Sequence, residues 1–481
     1  MISLRQSFHV AGVLLATLGM LMMVPAVIDL AAGNPDWRVF VACGIGTWTF
    51  GVLLAQTTRR PVAVQISVRD AFLMTTLLWV AVGAFSALPF LGVGLDYSDA
   101  FFEAISGMTT TGSTVLVGLE TLPPGILFWR ALLQWVGGVG IIVMAILILP
   151  FLRVGGMQLF QVESSDRSGK IVPRAFLLIT LIVGTYVALS IACAIAYGLA
   201  GMTAFDAICH AMTTLSTGGY ANYDASFGFY KQASAHWIGI VFMIAGGLPF
   251  LAYIRAVQGD YGALYRNPQV RALLLLLFLT SLALAVYLSA TRAIPFADAV
   301  RLTAFNVTSV VTTTGYATDD FNAWGPLAVA VFFVLMFAGG CTGSTSGSIK
   351  IYRHLILAGM VRAHLRRLVH PRRVVQVSYA GKPLPADIAP SVLAFITVFL
   401  GTITVFTIAL AAMGLDFVTA LSAATTAIAN VGPGLGEVIG PAGNFATLPD
   451  AAKWILSLAM LMGRLELFAV LVLLDPDFWR S

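Results

Sequence analysis

Four stretches of the chain read alike: Thr109-Thr110-Thr111-Gly112-Ser113-Thr114, Leu215-Ser216-Thr217-Gly218-Gly219-Tyr220, Thr312-Thr313-Thr314-Gly315-Tyr316-Ala317 and Ala429-Asn430-Val431-Gly432-Pro433-Gly434. Aligned on Gly112, Gly218, Gly315 and Gly432, they stand 106, 97 and 117 residues apart. Each closes a short semi-polar segment: residues 99–112, 206–218, 298–315 and 416–432. A second landmark follows in the middle of the next apolar run: Gly137-Gly138, Gly246-Gly247, Gly339-Gly340, then Gly463-Arg464. Two landmarks in one order, four times over, make an internal repeat.

What surrounds these turns is apolar. Of 481 residues 59% are hydrophobic and 10% charged, against about 45–50% and about 25% in soluble domains. That excludes a soluble globular protein, and 31 Phe with 9 Trp exclude a disordered chain. A helix needs about 20 apolar residues to cross the hydrocarbon core, and ten windows qualify: residues 10–30, 39–56, 71–91, 126–151, 175–199, 237–256, 272–288, 327–357, 391–413 and 453–474. The four semi-polar segments are too short to span. They read as re-entrant half-helices, since irregular backbone at membrane depth survives only where it lines a cavity. The expected fold is thus an all-α integral membrane protein of ten transmembrane helices and four pore half-helices. Residues 1–60 form two helices outside the repeat, and residues 61–165, 166–262, 263–375 and 376–481 form four span-hairpin-span units in a pseudo-fourfold ring.

The N-terminal MISLRQSFHV runs directly into the first apolar window without a small-residue cleavage site, so an uncleaved helix is expected. Twenty of the 27 Lys and Arg fall in alternate loops that also hold both termini, and six fall on the other side, which makes the majority side cytoplasmic. The outer segments carry 14 of the 22 acids, among them Asp96, Asp99, Asp206, Asp298 and Asp416. A negative vestibule would concentrate cations; equally, acids could simply avoid the cytoplasmic loops. The cysteines Cys43, Cys193, Cys209 and Cys341 and the six histidines are scattered, so neither disulfides nor a metal centre is indicated.

Each half-helix enters from outside, so its negative dipole end faces the membrane centre and favours a cation. The turns then lead back outward with carbonyls available to replace a dehydrated ion's water. The candidate filter residues are Thr110, Thr111, Gly112, Ser216, Thr217, Gly218, Thr313, Thr314, Gly315, Asn430, Val431 and Gly432. Glycine permits backbone conformations closed to residues with Cβ, although Gly and Thr also mark ordinary helix packing in membranes. The fourth turn departs from the pattern: no hydroxyl precedes Gly432, and Pro433 has no N–H to donate.

Below the third turn, Gly339-Gly340-Cys341-Thr342-Gly343-Ser344-Thr345-Ser346-Gly347-Ser348 cannot hold a regular helix in lipid and must lie in a wet or protein-lined place. The loop reads as a two-state gate or as a Gly-rich packing kink. A phosphate-binding loop is excluded, because Lys350 follows Gly-Ser-Ile and no strand precedes. Arg464 sits inside the last window, where burial costs about 2.5–3.5 kcal/mol or more. It reads as a positive charge limiting cation occupancy beneath the filter, with a snorkelling arginine as the alternative. Glu466 is a poor partner for it, since residues two apart point to different helix faces.

These residues resemble the TrkH and KtrB potassium uptake subunits, related to the plant HKT carriers, over essentially the whole chain. The resemblance rests on the four turns, on GGCTGSTSGSIK (residues 339–350) and on MGRLELF (residues 462–468). Two spans ahead of the first repeat, and an end soon after the last span, are similar to TrkH rather than KtrB. The resemblance implies that Gly112, Gly218, Gly315 and Gly432 are filter glycines favouring K⁺, the first being serine in sodium-selective relatives, and that the loop gates. It also implies a cytosolic nucleotide-binding subunit of TrkA type docking on the basic linker, residues 362–376; anionic lipid headgroups explain that linker equally. The reading is K⁺ uptake across a bacterial inner membrane through one pore per chain, in a homodimer, with K⁺ as cargo, no organic cofactor and no nucleic-acid partner. The rival is an ion-coupled carrier with a midplane substrate site; an intramembrane enzyme finds no acid, base or nucleophile cluster.

Overall fold

The computed structural model describes residues 4–59, 67–147, 171–372 and 375–480. The expected fourth span beyond residue 147, the first two repeat boundaries, and the charges at Arg60, Arg153, Arg167, Lys170 and Arg373 lie outside the described residues. In lipid a segment must satisfy its own backbone groups, and the long apolar runs accordingly form helices. Among the described residues seven are long and apolar enough to cross a membrane: Leu4–Ala31, Trp37–Thr58, Val68–Val93, Pro124–Met144, Leu177–Leu199, Pro268–Arg292 and Ile388–Ala412.

The other three expected spans are not continuous. Residues 237–256 form two helices, Ala233–Gly247 and Phe250–Val257, bent by 93° at Pro249, which has no N–H to continue the ladder. Residues 453–474 form Asp450–Arg464 and Phe468–Leu474, bent by 109°, with Glu466 and Leu467 at φ +62° and +50°. Residues 327–357 hold a ten-residue helix, Pro326–Leu335, the loop, and a second helix, Ile351–Val369. A two-residue antiparallel hairpin, Ser378–Tyr379 with Lys382–Pro383, is a further small departure from an all-helical chain.

The first two helices pack backbone to backbone. A Cβ on Gly12 would stand 2.7 Å from the Gly51 carbonyl oxygen, and one on Gly51 equally far from that of Gly12. Small residues permit this approach where lipid offers no hydrophobic drive for helix association.

The four semi-polar segments are short helices: Tyr97–Met108, Ala204–Leu215, Phe296–Val311 and Phe417–Ala429. Three begin with a side-chain cap, in which Asp96 accepts from the Asp99 N–H, Thr203 from that of Asp206, and Asp416 from those of Val418 and Thr419. Such caps satisfy donors that the helix itself leaves open. Several acids counted toward a negative vestibule therefore serve helix starts. At the other end each short helix is fully enclosed, and its last turn lies in the centre of the protein.

Candidate functional site

All four short helices end by one device. The N–H of Thr111 donates to the Ser106 carbonyl (2.9 Å), Gly218 to Thr213 (2.9 Å), Thr314 to Ser309 (2.8 Å) and Val431 to Thr426 (3.0 Å). The residue before each donor is left-handed: Thr110 at φ +52°, Thr217 at +49°, Thr313 at +58° and Asn430 at +54°. Asn adopts this conformation readily, whereas a β-branched Thr is strained by roughly 1–2 kcal/mol. Three such threonines in equivalent positions are a local rule broken in concert, as at functional sites.

The residue after each donor is a glycine with positive φ: Gly112 (+87°), Gly219 (+78°), Gly315 (+85°) and Gly432 (+111°). In the second turn that glycine is Gly219, one residue later than the Thr-Gly alignment puts it. Gly218 occupies the position of Thr111, Thr314 and Val431. The sequence offers two adjacent glycines there, and only the backbone distinguishes them.

In this register the four turns close a cycle. A Cβ on Gly112 would overlap the Gly218 carbonyl oxygen, one on Gly219 that of Thr314, one on Gly315 that of Val431, and one on Gly432 would stand 2.8 Å from that of Thr111. The carbonyls of Thr111, Gly218, Thr314 and Val431 thus occupy equivalent places, each against the glycine of a neighbouring turn. Hydroxyls brace the turns from behind, with Thr109 to Thr111 at 2.7 Å and Thr312 to Thr314 at 2.8 Å. Asn430 replaces the missing hydroxyl of the fourth turn: its Nδ2 donates to Thr111 Oγ1 and to the Met460 carbonyl, both at 2.9 Å. Ser216 caps its helix from behind the second turn.

The scan of turns missed the scaffold between turns one and two. Buried Glu103 accepts from Arg130 Nε at 2.8 Å, from Thr114 Oγ1 and from the Val115 N–H. Arg130 lies 4.1 Å above the Tyr220 ring and donates to the Ala221 carbonyl. One turn further along the same helix, Gln134 donates to the Gly218 carbonyl at 2.7 Å and accepts from the Tyr220 N–H at 3.0 Å. The sequence signal for it is Arg130 and Gln134 inside an apolar window and Glu103 inside a short semi-polar segment. On the side to which the turns return lies a cavity of about 280 Å³, lined by Gly112, Gly219, Gly315 and Gly432 together with Asp224 and Arg130.

On the opposite side the ten residues Gly339 to Ser348 are all buried. They stitch the break between the helices Ala233–Gly247 and Phe250–Val257: the Cys341 and Thr345 N–H groups donate to the Gly247 and Gly246 carbonyls, and the Phe250 N–H donates to the Gly343 carbonyl. The bend at Pro249 takes the following N–H groups away from the Gly246 and Gly247 carbonyls, Phe250 N–H going to Gly343 instead, and the loop supplies replacement donors. Thr342 N–H donates to Gln269 Oε1 and Ser344 Oγ to the Cys341 carbonyl. Thr345 Oγ1 reaches the Leu215 carbonyl and Thr217 Oγ1, the Gly347 N–H donates to Thr313 Oγ1 at 2.6 Å, and a Cβ on Gly347 would stand 2.5 Å from the Ala429 carbonyl. The loop therefore touches the ends of short helices two, three and four. Three of the four second landmarks also abut short-helix ends: Cβ atoms on Gly137, Gly246 and Gly463 would press on the carbonyls of Met108, Leu215 and Ile428, whereas Gly339 abuts the Gly347 carbonyl within the loop.

Arg464 is the last residue of the helix Asp450–Arg464, at the break and not within a continuous span. It is buried, and its Nη1 donates to the Thr345 carbonyl at 2.8 Å. With Ser346, Gly347, Lys350 and Glu466 it lines a polar cavity of about 20 Å³ between loop and helix, room for about one water. Glu466 pairs with Arg353 at 2.5 Å, the Arg353 guanidinium lying 3.6 Å over the Phe395 ring.

Comparison with known proteins gives a consistent result. Residues 38–480 match the family model TrkH, described as a cation transport protein. The chain is 48% identical to the Trk system potassium uptake protein TrkI of Halomonas elongata, covering 98% of this chain and 96% of the relative. It is 38% identical to the Trk system potassium uptake protein TrkH of Vibrio parahaemolyticus, covering 99% of each. The crystal structure of the potassium transporter TrkH from Vibrio parahaemolyticus superposes with a TM-score of 0.91 at 35% identity, covering 99% of both chains.

Proposed function

The chain belongs to the TrkH family of cation transport proteins, and from that premise we propose that it takes up potassium through a central pore whose filter is the ring of four turns. One observation carries this reading: the cyclic contacts from Gly112 to Gly218, Gly219 to Thr314, Gly315 to Val431 and Gly432 to Thr111. Equivalent backbone oxygens in a closed cycle are a coordination shell for a dehydrated cation. Four helix C-termini aimed at that ring add a negative field.

In this reading the chain crosses the membrane ten times with the four short helices re-entrant, two helices preceding four repeats. The loop of residues 339–348 is the gate and Arg464 its positive latch. Its contacts with three short-helix ends support this. The basic side is cytoplasmic and holds both termini, in a bacterial inner membrane. The exposed helix end at Arg362, Arg366 and Arg367 suits a TrkA-type regulatory subunit or anionic lipid, and the assembly is a homodimer.

The test is flux into liposomes holding the purified protein under a set potential, with K⁺, Rb⁺ and Na⁺ compared. Selective K⁺ and Rb⁺ flux driven by potential alone is expected. Flux that requires a Na⁺ or H⁺ gradient overturns the pore and establishes a coupled carrier.

A further inference from the structure

The ring carbonyls are equivalent in backbone but not in surroundings. Gly218 is the position where turns one and three carry a threonine, and its missing Cβ would overlap the Gln134 carboxamide. Gln134 is fully buried, and its orientation is fixed by two unlike partners, a carbonyl that only accepts and an N–H that only donates. Among the described residues no side chain donates to the carbonyls of Thr111, Thr314 or Val431. The Gly218 oxygen alone shares a lone pair with an amide.

We propose that Gln134 is a specificity-determining positioning residue, which holds the Gly218 carbonyl and weakens its field at the ion. This rests on reading the four turns as the filter. Discrimination among alkali cations depends on the number and field strength of the coordinating carbonyls, and a stronger field favours the smaller ion. Three unshared oxygens and one shared one make a softer ring than four unshared ones, which suits K⁺ over Na⁺. Gln134 shares its helix with Arg130, which pairs with Glu103 of short helix one and lies over the ring of Tyr220, the residue from whose N–H Gln134 accepts.

The experiment measures K⁺ over Na⁺ permeability from reversal potentials in liposomes, a ratio independent of how much protein is folded. Gln134→Met keeps the length and removes the donor, and the ratio is expected to fall roughly five-fold, about the worth of one hydrogen bond. Gln134→Asn, one methylene shorter, draws the amide back from the Gly218 oxygen and is expected to lower the ratio in the same direction. A folded Gln134→Met with the wild-type ratio, while Gly112→Ser lowers it, overturns this inference and leaves the filter intact. A wild-type ratio in both variants overturns the filter reading and this inference with it. Should Gln134→Met not fold, Gln134→Asn decides alone: a ratio equal to wild type in that variant refutes the role of Gln134.

Discussion

Gly432, in the last of the four turns, holds its Cα so close to the first that a Cβ would stand 2.8 Å from the Thr111 carbonyl oxygen. The contact joins the fourth turn to the first and closes the cycle of four turns. Asn430 reinforces it, donating to Thr111 Oγ1 across the same junction. The turn that lacks a hydroxyl before its glycine is thus tied to its neighbour by an amide.

Gly112→Ser should weaken discrimination of K⁺ from Na⁺ while the protein stays folded. At φ +87° a Cβ is strained by roughly 1–2 kcal/mol, and it would push on the Gly218 carbonyl. Permeability ratios equal to wild type would remove Gly112 from the filter.

Gly219→Ser should act in the same direction as Gly112→Ser, because Gly219 has the matching φ of +78° and presses on the Thr314 carbonyl. The measurement is the same reversal potential. A wild-type ratio in this variant would contradict the structural register of the second turn.

Deleting Gly343 to Gly347 should raise flux in the absence of any activator. The deletion removes the bonds from Thr345 to Leu215 and from Gly347 to Thr313 that hold the loop against the short helices. Flux at the wild-type level from a folded deletion variant would make the loop a kink and not a gate.

Arg464→Ala should increase K⁺ flux roughly ten-fold, equivalent to removing a barrier of about 1.4 kcal/mol. Two effects add: a fixed positive charge leaves the path, and the loop loses its bond at the Thr345 carbonyl. Filter selectivity should hold. Flux per folded protein is the readout, and no change in a well-expressed variant would exclude Arg464 from the pathway.

Glu466→Gln should destabilise the protein by about 3–5 kcal/mol, because it leaves Arg353 buried without its countercharge. Thermal unfolding in detergent checks this. An unshifted transition would show that the Phe395 ring and other neighbours hold Arg353 on their own.

Much of this architecture is legible along the chain. Apolar windows separated by semi-polar segments mark the long helices and the four short ones, since an apolar chain must satisfy its own backbone groups. At Gly137, Gly246 and Gly463 the glycine landmark recurs because a short helix ends against a close-packed long one. Hydropathy averages across Pro249 and across Glu466-Leu467 without registering a bend, so two windows that read as single spans are bent helix pairs. Helix geometry separates Glu466 from Arg464, and the structure pairs Glu466 with Arg353.

The lipid solvent, the four similar turns and the irregular loop are legible in the linear chain, because composition and spacing are properties of a line. The tertiary structure alone decided which glycine of the Gly218-Gly219 pair carries the left-handed backbone, what Arg464 touches, and that Gln134 meets the Gly218 carbonyl. Those facts depend on hydrogen bonds between segments 84 and 119 residues apart, where the partner is chosen by packing. A buried polar atom must find a partner somewhere, but only the fold specifies which.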